Sequence, residues 1–407
     1  MAPAAIDLAR RGFAPGAASR DFSAQWKNPG DVFSVLLILG GDVVARALAQ
    51  LSGSKITPVA FSFGWVAYAV SAVVSAVGDN KLMPPPDTSC QVINAKSGIS
   101  RTNSSWIIGR IVRDYDDWKH EKVSEYLTTL LDARDKFDRQ KANEELRGAG
   151  DTLKYPKRAG LCVAVYKAEE AHAGVPGYDF VYWLGFGTCI LQLGIAAIPC
   201  GIYGDWAIIQ ITAVGMLLSL LTGSLPQWKH EKWACRDKCD KDIILTKGNG
   251  SQHTILILGQ GKGFDLEDLA AGQIDTDLLP KATTRFALLV LAVLWVLLLI
   301  TAAGIKQNTW FLLAIGGVGI AQNIYAAGKA RTPAAYGMSL TLVEVIGSPK
   351  VMETLFAVEK KYPYAGSSMV GTFFPGGRLT DDEKNEWQHL EYSAKDRREA
   401  WEEQQSK

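Results

Sequence analysis

Long apolar stretches recur along this chain, and their lengths predict membrane-spanning helices. A helix needs about 20 mostly apolar residues to cross a bilayer. One stretch, 32–51, has this length but contains the charged residues Asp42 and Arg46. The others have it without such charges and are 58–78, 179–200, 206–225, 285–305 and 309–328. The pattern predicts an α-helical integral membrane protein with six transmembrane helices.

The distribution of Lys and Arg predicts how these helices are oriented. Six spans form three hairpins, 32–78, 179–225 and 285–328, with short turns on the far side. Of the 43 Lys and Arg residues, only Lys55 and Lys306 fall in those turns. Because basic residues concentrate on the cytosolic side of membrane proteins, the long polar segments and both termini are predicted to be cytosolic.

The polar segments are too long to be simple connections. They comprise an N-terminal tail, two loops and a C-terminal segment, with the bounds 1–31, 79–178, 226–284 and 329–407. The expected membrane is the plasma membrane or an endomembrane. A mitochondrial membrane is disfavoured, because Asp7 and Asp21 interrupt the basic N-terminal tail and transit peptides are poor in acidic residues.

Both helices and strands are predicted within the polar segments. Apolar residues recur at helical spacing along 104–147. Strand patterns occupy 160–168 and 339–347, and 243–259 predicts a β-hairpin around Gly-Asn-Gly-Ser. No single segment has enough strands for a stable sheet. We therefore expect the two loops and the C-terminal segment to pool their strands into one composite cytosolic α/β domain.

The charges of the first stretch lie on a polar stripe. Asp42, Arg46 and Gln50 are four residues apart, and Gly41, Ala45 and Ala49 form a stripe of small residues beside them. A charge within a bilayer is costly, so the polar stripe is expected to face protein. The next stretch offers hydrogen-bonding partners, which are Tyr68, Ser71 and Ser75. The stripe either fixes helix packing or lines a solute path.

A glycine-rich turn follows the second strand of the predicted hairpin. Gly259, Gly261 and Gly263 lie between this strand and a predicted helix, the order found in phosphate-binding loops. The spacing matches neither a dinucleotide fingerprint nor a Walker A loop, because Lys262 is followed by glycine. The acidic Asp265 nearby would also repel a phosphate. A structural strand-to-helix turn is therefore the favoured interpretation.

One cluster has the residue types of a metal site. Cys235 and Cys239 are four residues apart, so on a helix they share one face and could hold a metal together with His230. A closed zinc site needs four ligands, and no second cysteine pair occurs in the sequence. The preferred alternative is a helix at the membrane surface, with Trp228 and Trp233 at the interface.

Composition narrows the function without identifying it. The formal net charge is +1, which provides no overall field to attract nucleic acid. The five histidines are scattered, and no catalytic constellation, cofactor motif or complete metal site is evident. The expected partners are the lipid bilayer and a protein on the cytosolic side, and the oligomeric state is left open.

Three blocks of the sequence carry a resemblance to a known group of proteins. SSWIIGRIVRDYDDW, LPQWKHEKWACR and KGNGSQHTILILG resemble blocks in uncharacterised multi-pass membrane proteins of filamentous fungi. The resemblance implies a membrane protein and supplies no catalytic residue.

Three functions follow from the sequence, in order of preference. The first is a membrane-anchored scaffold or regulatory subunit that acts through the cytosolic domain. The second is a transporter or channel that uses the stripe of Asp42, Arg46 and Gln50. The third is a membrane-bound enzyme.

Overall fold

The computed structural model describes residues 32–78, 81–145, 160–272, 282–377 and 379–392. The predicted N-terminal tail, 1–31, and the end of the C-terminal segment, 393–407, lie outside these residues.

The described residues form helices and strands that are joined by turns and loops. The helices are α1 (Val32–Leu51), α2 (Gly64–Gly78), α3 (Trp106–Arg113), α4 (Tyr115–Trp118), α5 (Glu121–Glu145), α6 (Phe180–Tyr203), α7 (Ala207–Gly223), α8 (Pro226–Lys232), α9 (Leu266–Ala271), α10 (Ala282–Ala303), α11 (Thr309–Gly328), α12 (Val351–Lys361), α13 (Ala365–Phe373) and α14 (381–392). The strands are β1 (Gln91–Asn94), β2 (Ser100–Thr102), β3 (Leu161–Ala171), β4 (Ile243–Thr246), β5 (His253–Leu258) and β6 (Met338–Ser348).

The chain divides into two compact units, each assembled from three separate segments. The helical unit comprises Met1–Leu82, Asp179–Leu225 and Pro280–Lys329. The sheet unit comprises Met83–Tyr178, Pro226–Leu279 and Ala330–Lys407.

Several helices of the helical unit could cross a membrane. Among the described residues, α6, α10 and α11 are long and apolar enough, and α7 adds a fourth span if it is counted together with α8. Their bounds agree closely with the predicted stretches. The coarse prediction of an α-helical membrane protein is thus supported, whereas the count of six spans is not confirmed.

The predicted span 58–78 is wrong over its first part, because α2 begins only at Gly64. Residues 55–63 form no regular helix, and Thr57–Phe63 are buried. Pro58 accounts for the non-helical backbone before it, because proline has no amide hydrogen to donate and disfavours helical backbone at Thr57. We call residues 52–63 the extended segment.

The extended segment passes from one end of the helical unit to its middle. The hydroxyl of Tyr182, in the first turn of α6, donates to the carbonyl of Ile56. Further along α6, Gln192 donates to the carbonyl of Phe61. Ten residues of helix separate these two contacts, which corresponds to a depth of about 15 Å at 1.5 Å per residue.

This path corrects the predicted position of the turn that holds Lys55. The residues on either side of Lys55 contact Tyr182, and Thr57 donates to the carbonyl of Gly223, the last residue of α7. The predicted far-side turns meet elsewhere, where the Nδ2 of Asn308 donates to the Oδ2 of Asp205 at 3.0 Å. Lys55 therefore lies at the opposite end of the helical unit from Lys306, and the expectation that both termini are cytosolic loses this support.

α1 and α2 pack closely where the extended segment ends. Gly40 and Gly64 are in backbone contact, and neither has room for a Cβ atom. Gly41 lies against Ala67 and Tyr68, so the contacts advance in the same direction along both helices. The last turn of α1 lies beside the C-terminal end of α11, where the side chain of Gln50 donates to the carbonyl of Lys329. α2 therefore runs back toward the end from which the extended segment came, as the second arm of a re-entrant hairpin.

The sheet unit contains one six-stranded mixed sheet in the order β2-β1-β4-β5-β3-β6. The predicted hairpin is present as antiparallel β4 and β5, while β3 pairs parallel to β5 and antiparallel to β6. Strands from both loops and the C-terminal segment contribute, so the predicted pooling of strands is observed. Its core combines strand residues such as Val163 and Leu256 with Leu355 of α12, all fully buried.

The predicted helix 104–147 is present in three pieces. α3 ends at Arg113, α4 is a single turn, and α5 begins at Glu121. Asp114 lies at the first break, between α3 and α4. Arg110 of α3 forms ion pairs with Asp114 at 3.4 Å and with Asp87 at 2.9 Å, and all three side chains are buried. Tertiary contacts of this kind override local helical periodicity.

Candidate functional site

The candidate site surrounds the middle of the extended segment inside the helical unit. Backbone amides and carbonyls that are buried outside a helix or sheet need other hydrogen-bond partners. In a membrane this need is acute, because lipid offers none. The partners come from three amide side chains, Gln192 of α6 and Gln322 and Asn323 of α11, which we call the polar belt.

The polar belt bonds to the amide and carbonyl of Ala60 and to the carbonyl of Phe61. The Oε1 of Gln322 accepts from the Ala60 amide at 3.2 Å. The Ala60 carbonyl accepts from the Nδ2 of Asn323 at 3.2 Å and from the indole of Trp65 at 2.9 Å. The Phe61 carbonyl accepts from the Nε2 of Gln192 at 2.7 Å. These bonds join residues that are distant in sequence and fix the extended segment in place.

Glycines make room for the extended segment on the surrounding helices. A Cβ atom at Gly185 of α6 would overlap the Pro58 carbonyl, and one at Gly319 of α11 would overlap the Phe61 carbonyl. At Gly215 of α7 it would lie 2.5 Å from the Phe61 ring. Three helices therefore present glycine where the segment passes.

Aromatic rings pack beside the polar belt. The ring of Trp295 stacks on Phe61 with centroids 6.1 Å apart and on Trp65 at 5.4 Å. Phe63 contacts Phe61 edge to face at 5.8 Å. An apolar wall thus adjoins the amide groups.

Four buried polar atoms of this site have no hydrogen-bond partner among the described residues. They are Gln192 Oε1, Gln322 Nε2, Asn323 Oδ1 and Trp295 Nε1. The orientation of the Gln192 amide is well determined, because its Nε2 donates to two carbonyls, those of Phe61 at 2.7 Å and Ile315 at 2.8 Å. Buried polar atoms are rarely left without a partner in folded proteins, so these four atoms are available to bond to a water or a small ligand.

The site carries no charge. Where the structure describes the helical unit, its buried polar residues are Gln50, Ser52, Thr57, Ser62, Thr188, Gln192, Thr212, Ser219, Thr222, Thr309, Gln322 and Asn323. All of these side chains are neutral. The arrangement can therefore exchange hydrogen bonds but cannot neutralise an ion.

The predicted polar stripe is separate from this site. Gln50 is fully buried and donates to the Lys329 carbonyl at 3.0 Å, but Asp42 and Arg46 are exposed on the described surface. Steps of four residues advance about 400° around a helix, so Gln50 lies roughly 80° around α1 from Asp42. We expected the whole stripe to face protein. Gln50 does so, whereas Asp42 and Arg46 are exposed.

The predicted partners of the stripe interact locally. Tyr68 is buried and packs edge to face against Trp65, with centroids 5.7 Å apart. The hydroxyl of Ser71 donates to the Tyr68 carbonyl at 2.8 Å, and Ser75 is half-buried on the same helix.

The glycine turn belongs to the sheet unit. Gly261 and Gly263 have φ values of 75° and 79°, and a Cβ atom at Gly259 would lie 2.5 Å from the Cys239 carbonyl oxygen. The carboxylate of Asp265 caps the short helix α9 by accepting from the amides of Glu267 and Asp268, both at 3.1 Å. A side-chain anion thus occupies the position that a phosphate would need.

The cation partners of Asp265 complete this turn. Arg236 and Lys241 pair with its carboxylate at 2.8 and 3.0 Å. This geometry supports the structural interpretation of the glycines.

The cysteine and histidine cluster is not assembled into a metal site. Among the described residues, no group of three or more His, Cys, Asp and Glu side chains is placed to hold a metal ion. Burial raises the pKa of both Cys235 and Cys239, which disfavours the thiolate form that binds metals. His230 lies on α8, which ends before either cysteine.

Trp228 and Trp233 are buried within the sheet unit. The indole of Trp233 donates to the carbonyl of Tyr336 at 2.8 Å. Tertiary packing therefore covers both rings, and their placement at a membrane interface stays a prediction.

Sequence reasoning overlooked the polar belt, although two signals were present. Gln192, Gln322 and Asn323 are polar residues within otherwise apolar helices, and Pro58 opens an apolar stretch that was read as a helix. Polar residues within membrane segments indicate functional or packing sites. What the sequence could not provide was the pairing of these amides with Ala60 and Phe61.

Comparisons with known proteins add no assignment to this geometry. No family model, no curated protein and no solved structure matches this chain.

Proposed function

We propose that this protein is a membrane transport protein, either a channel or a carrier, in which a small solute passes the polar belt. The observation that supports the proposal is the set of four buried, unpartnered polar atoms around Ala60 and Phe61. Such atoms are costly in an apolar surrounding, and a solute or water that bonds to them removes that cost.

The form of the extended segment supports the same function. Non-helical backbone at membrane depth is tolerated where protein buries it or where it borders a water-filled cavity. Transporters use discontinuous elements of this kind at substrate sites near the middle of the bilayer. If the stretch 58–78 served only as an anchor, a continuous helix would satisfy its own backbone without Gln192, Gln322 and Asn323.

Flux through liposomes tests the proposal directly. The purified full-length protein is reconstituted, and the passage of glycerol, urea, K⁺ and Cl⁻ is compared with that of protein-free liposomes. In Asn323→Leu the Ala60 carbonyl keeps its bond from Trp65, so the variant removes belt groups without leaving that carbonyl unpaired. Losing one such contact corresponds to about a ten-fold reduction in flux.

Gln210→Leu is the matched control, because Gln210 is exposed on α7. We expect at least one probe to pass faster with protein present, with a reduction in Asn323→Leu and none in Gln210→Leu. Folded protein that passes no probe faster than lipid alone contradicts the proposal.

We further propose that the membrane is the plasma membrane or an endomembrane, with the two polar loops and the C-terminal segment on its cytosolic face. The turns 204–206 and 304–308 support this orientation, because Lys306 is the only basic residue in them. The scaffold role stays a prediction, as does the enzyme role. A soluble protein that co-purifies in stoichiometric amount from mild detergent would favour the scaffold.

A further inference from the structure

The polar belt has the chemistry of a binding site for one class of solute. Resting on the proposed transport function, we infer that the solute is a small uncharged molecule that both donates and accepts hydrogen bonds, of the size of glycerol or urea. Gln192 Oε1 and Asn323 Oδ1 are the available acceptors, and Gln322 Nε2 and Trp295 Nε1 are the available donors.

The four groups belong to one site because each of their residues contacts Ala60 or Phe61. Gln322 and Asn323 bond to the backbone of Ala60, and Gln192 bonds to the carbonyl of Phe61. Trp295 stacks on the ring of Phe61. The residues that carry the unpartnered atoms therefore surround the same short stretch of extended backbone.

An ion is a poor match for these groups. A dehydrated cation would need several oxygens, but the Ala60 carbonyl already accepts from Trp65 and Asn323. The donors Gln322 Nε2 and Trp295 Nε1 would repel a cation, just as the two acceptor oxygens would repel an anion. Stripping an ion of water is compensated only by opposite charge or a full set of ligand dipoles. The balanced, neutral set favours a neutral solute.

The aromatic wall adds a preference for carbon-bearing solutes. The stacked rings of Trp65, Trp295 and Phe61 present apolar surface beside the amides. A small polyol can place its C–H groups against such a surface while its hydroxyls exchange hydrogen bonds with the belt. Glycerol combines both properties, and urea tests whether hydrogen bonding alone is sufficient.

The test measures neutral and ionic flux on the same proteoliposomes. Stopped-flow light scattering reports glycerol and urea permeability, and potential- and chloride-sensitive dyes report K⁺ and Cl⁻. Trp295→Phe removes the indole donor and keeps an aromatic ring, so it tests the hydrogen bond without deleting the wall. Gln192→Leu removes an acceptor, and Gln210→Leu serves as the exposed control on α7.

The expected result is glycerol permeability above that of protein-free liposomes, reduced by about ten-fold in Gln192→Leu and by several-fold in Trp295→Phe. Gln210→Leu should match the original protein. Thermal unfolding in detergent identifies folded variants, and if Gln192→Leu does not fold, Trp295→Phe decides the outcome.

Other outcomes separate this inference from the proposed function. Flux of K⁺ or Cl⁻ that depends on the belt, without neutral flux, overturns the neutral-solute inference and leaves transport standing. Glycerol flux that is unchanged in folded Trp295→Phe and Gln192→Leu also overturns it, because the path then lies elsewhere. No flux of any probe overturns both.

Discussion

At the scale of single residues, the stability of the protein depends on polar groups that are buried away from water. The amides of the polar belt are one example. His253, at the start of β5, is another: its ring packs against Tyr115 with centroids 5.3 Å apart, and its Nε2 lies 3.9 Å from Asp116. The five histidines are scattered along the sequence. Nothing in their order indicates that His253 contacts Tyr115 and Asp116.

We predict that His253 makes the sheet unit less stable in acid. Burial lowers its pKa below 6.5, as do Lys119 and Lys247, while Asp116 acts in the opposite direction. The unfolded chain therefore takes up a proton on this ring before the folded protein does. Its contribution to stability is complete above the unfolded pKa of about 6.5 and is lost as the pH falls toward the folded value.

Thermal unfolding in detergent between pH 7.5 and 5 is the measurement, with the pH values chosen around the ordinary histidine pKa of about 6.5. The melting temperature should fall less steeply with acidification in His253→Gln than in the original protein. His389→Gln, which alters an exposed histidine, should follow the original protein. Equal slopes in all three would show that His253 titrates normally.

At the scale of elements, the extended segment shows how glycines on one element permit the backbone of another to approach. α11 carries Gly317 and Gly319 only two positions apart, yet of these two only Gly319 faces the Phe61 carbonyl. A Cβ atom at Gly317 meets nothing within 4 Å. The two positions thus separate the effect of close packing from the general effect of alanine on a helix.

We predict that Gly319→Ala destabilises the helical unit and Gly317→Ala does not. The added methyl group of the first must displace the extended segment or α11, and overpacking of this kind costs about 1–3 kcal/mol. The second gains helix propensity without a clash. Melting temperatures of the two variants in one detergent provide the comparison, and similar values would mean that the segment is not held against α11.

At the scale of the whole molecule, each unit is assembled from three separate segments of the chain, so neither can be completed until late segments join early ones. The sheet places β3 between β5 and β6, which follow it by many residues. In the helical unit the turn around Lys55 meets the ends of α7 and α11. The turn around Lys55 is therefore expected on the same side of the membrane as the ends of α7 and α11.

We predict that residues 55 and 224 are accessible from one side of the membrane and residue 306 from the other. Lys55, Ser224 and Lys306 are all exposed, and single cysteines can replace them in a cysteine-free background. Lys55→Cys and Ser224→Cys should react with an impermeant thiol reagent from the same side of sealed vesicles. Labelling of Lys55→Cys together with Lys306→Cys would instead support two full spans in the stretch 32–78.

The sequence by itself determined the apolar helices and most of the strands, because the signals for them are local. Runs of about 20 apolar residues identified α6, α7, α10 and α11, and a Gly-Asn-Gly-Ser turn between apolar runs identified β4 and β5. The resulting expectation of an α-helical membrane protein with a pooled sheet agrees with the structure.

Only the tertiary structure decided the extended segment, the side on which Lys55 lies, and the polar belt. The bond from Gln192 to Phe61 spans 131 positions in sequence, and the bond from Gln322 to Ala60 spans 262. Hydropathy favoured a helix through 58–63, because it records only how apolar each residue is. Whether an apolar backbone stretch can leave the helical form depends on distant side chains that supply its hydrogen bonds, and folding alone brings those together.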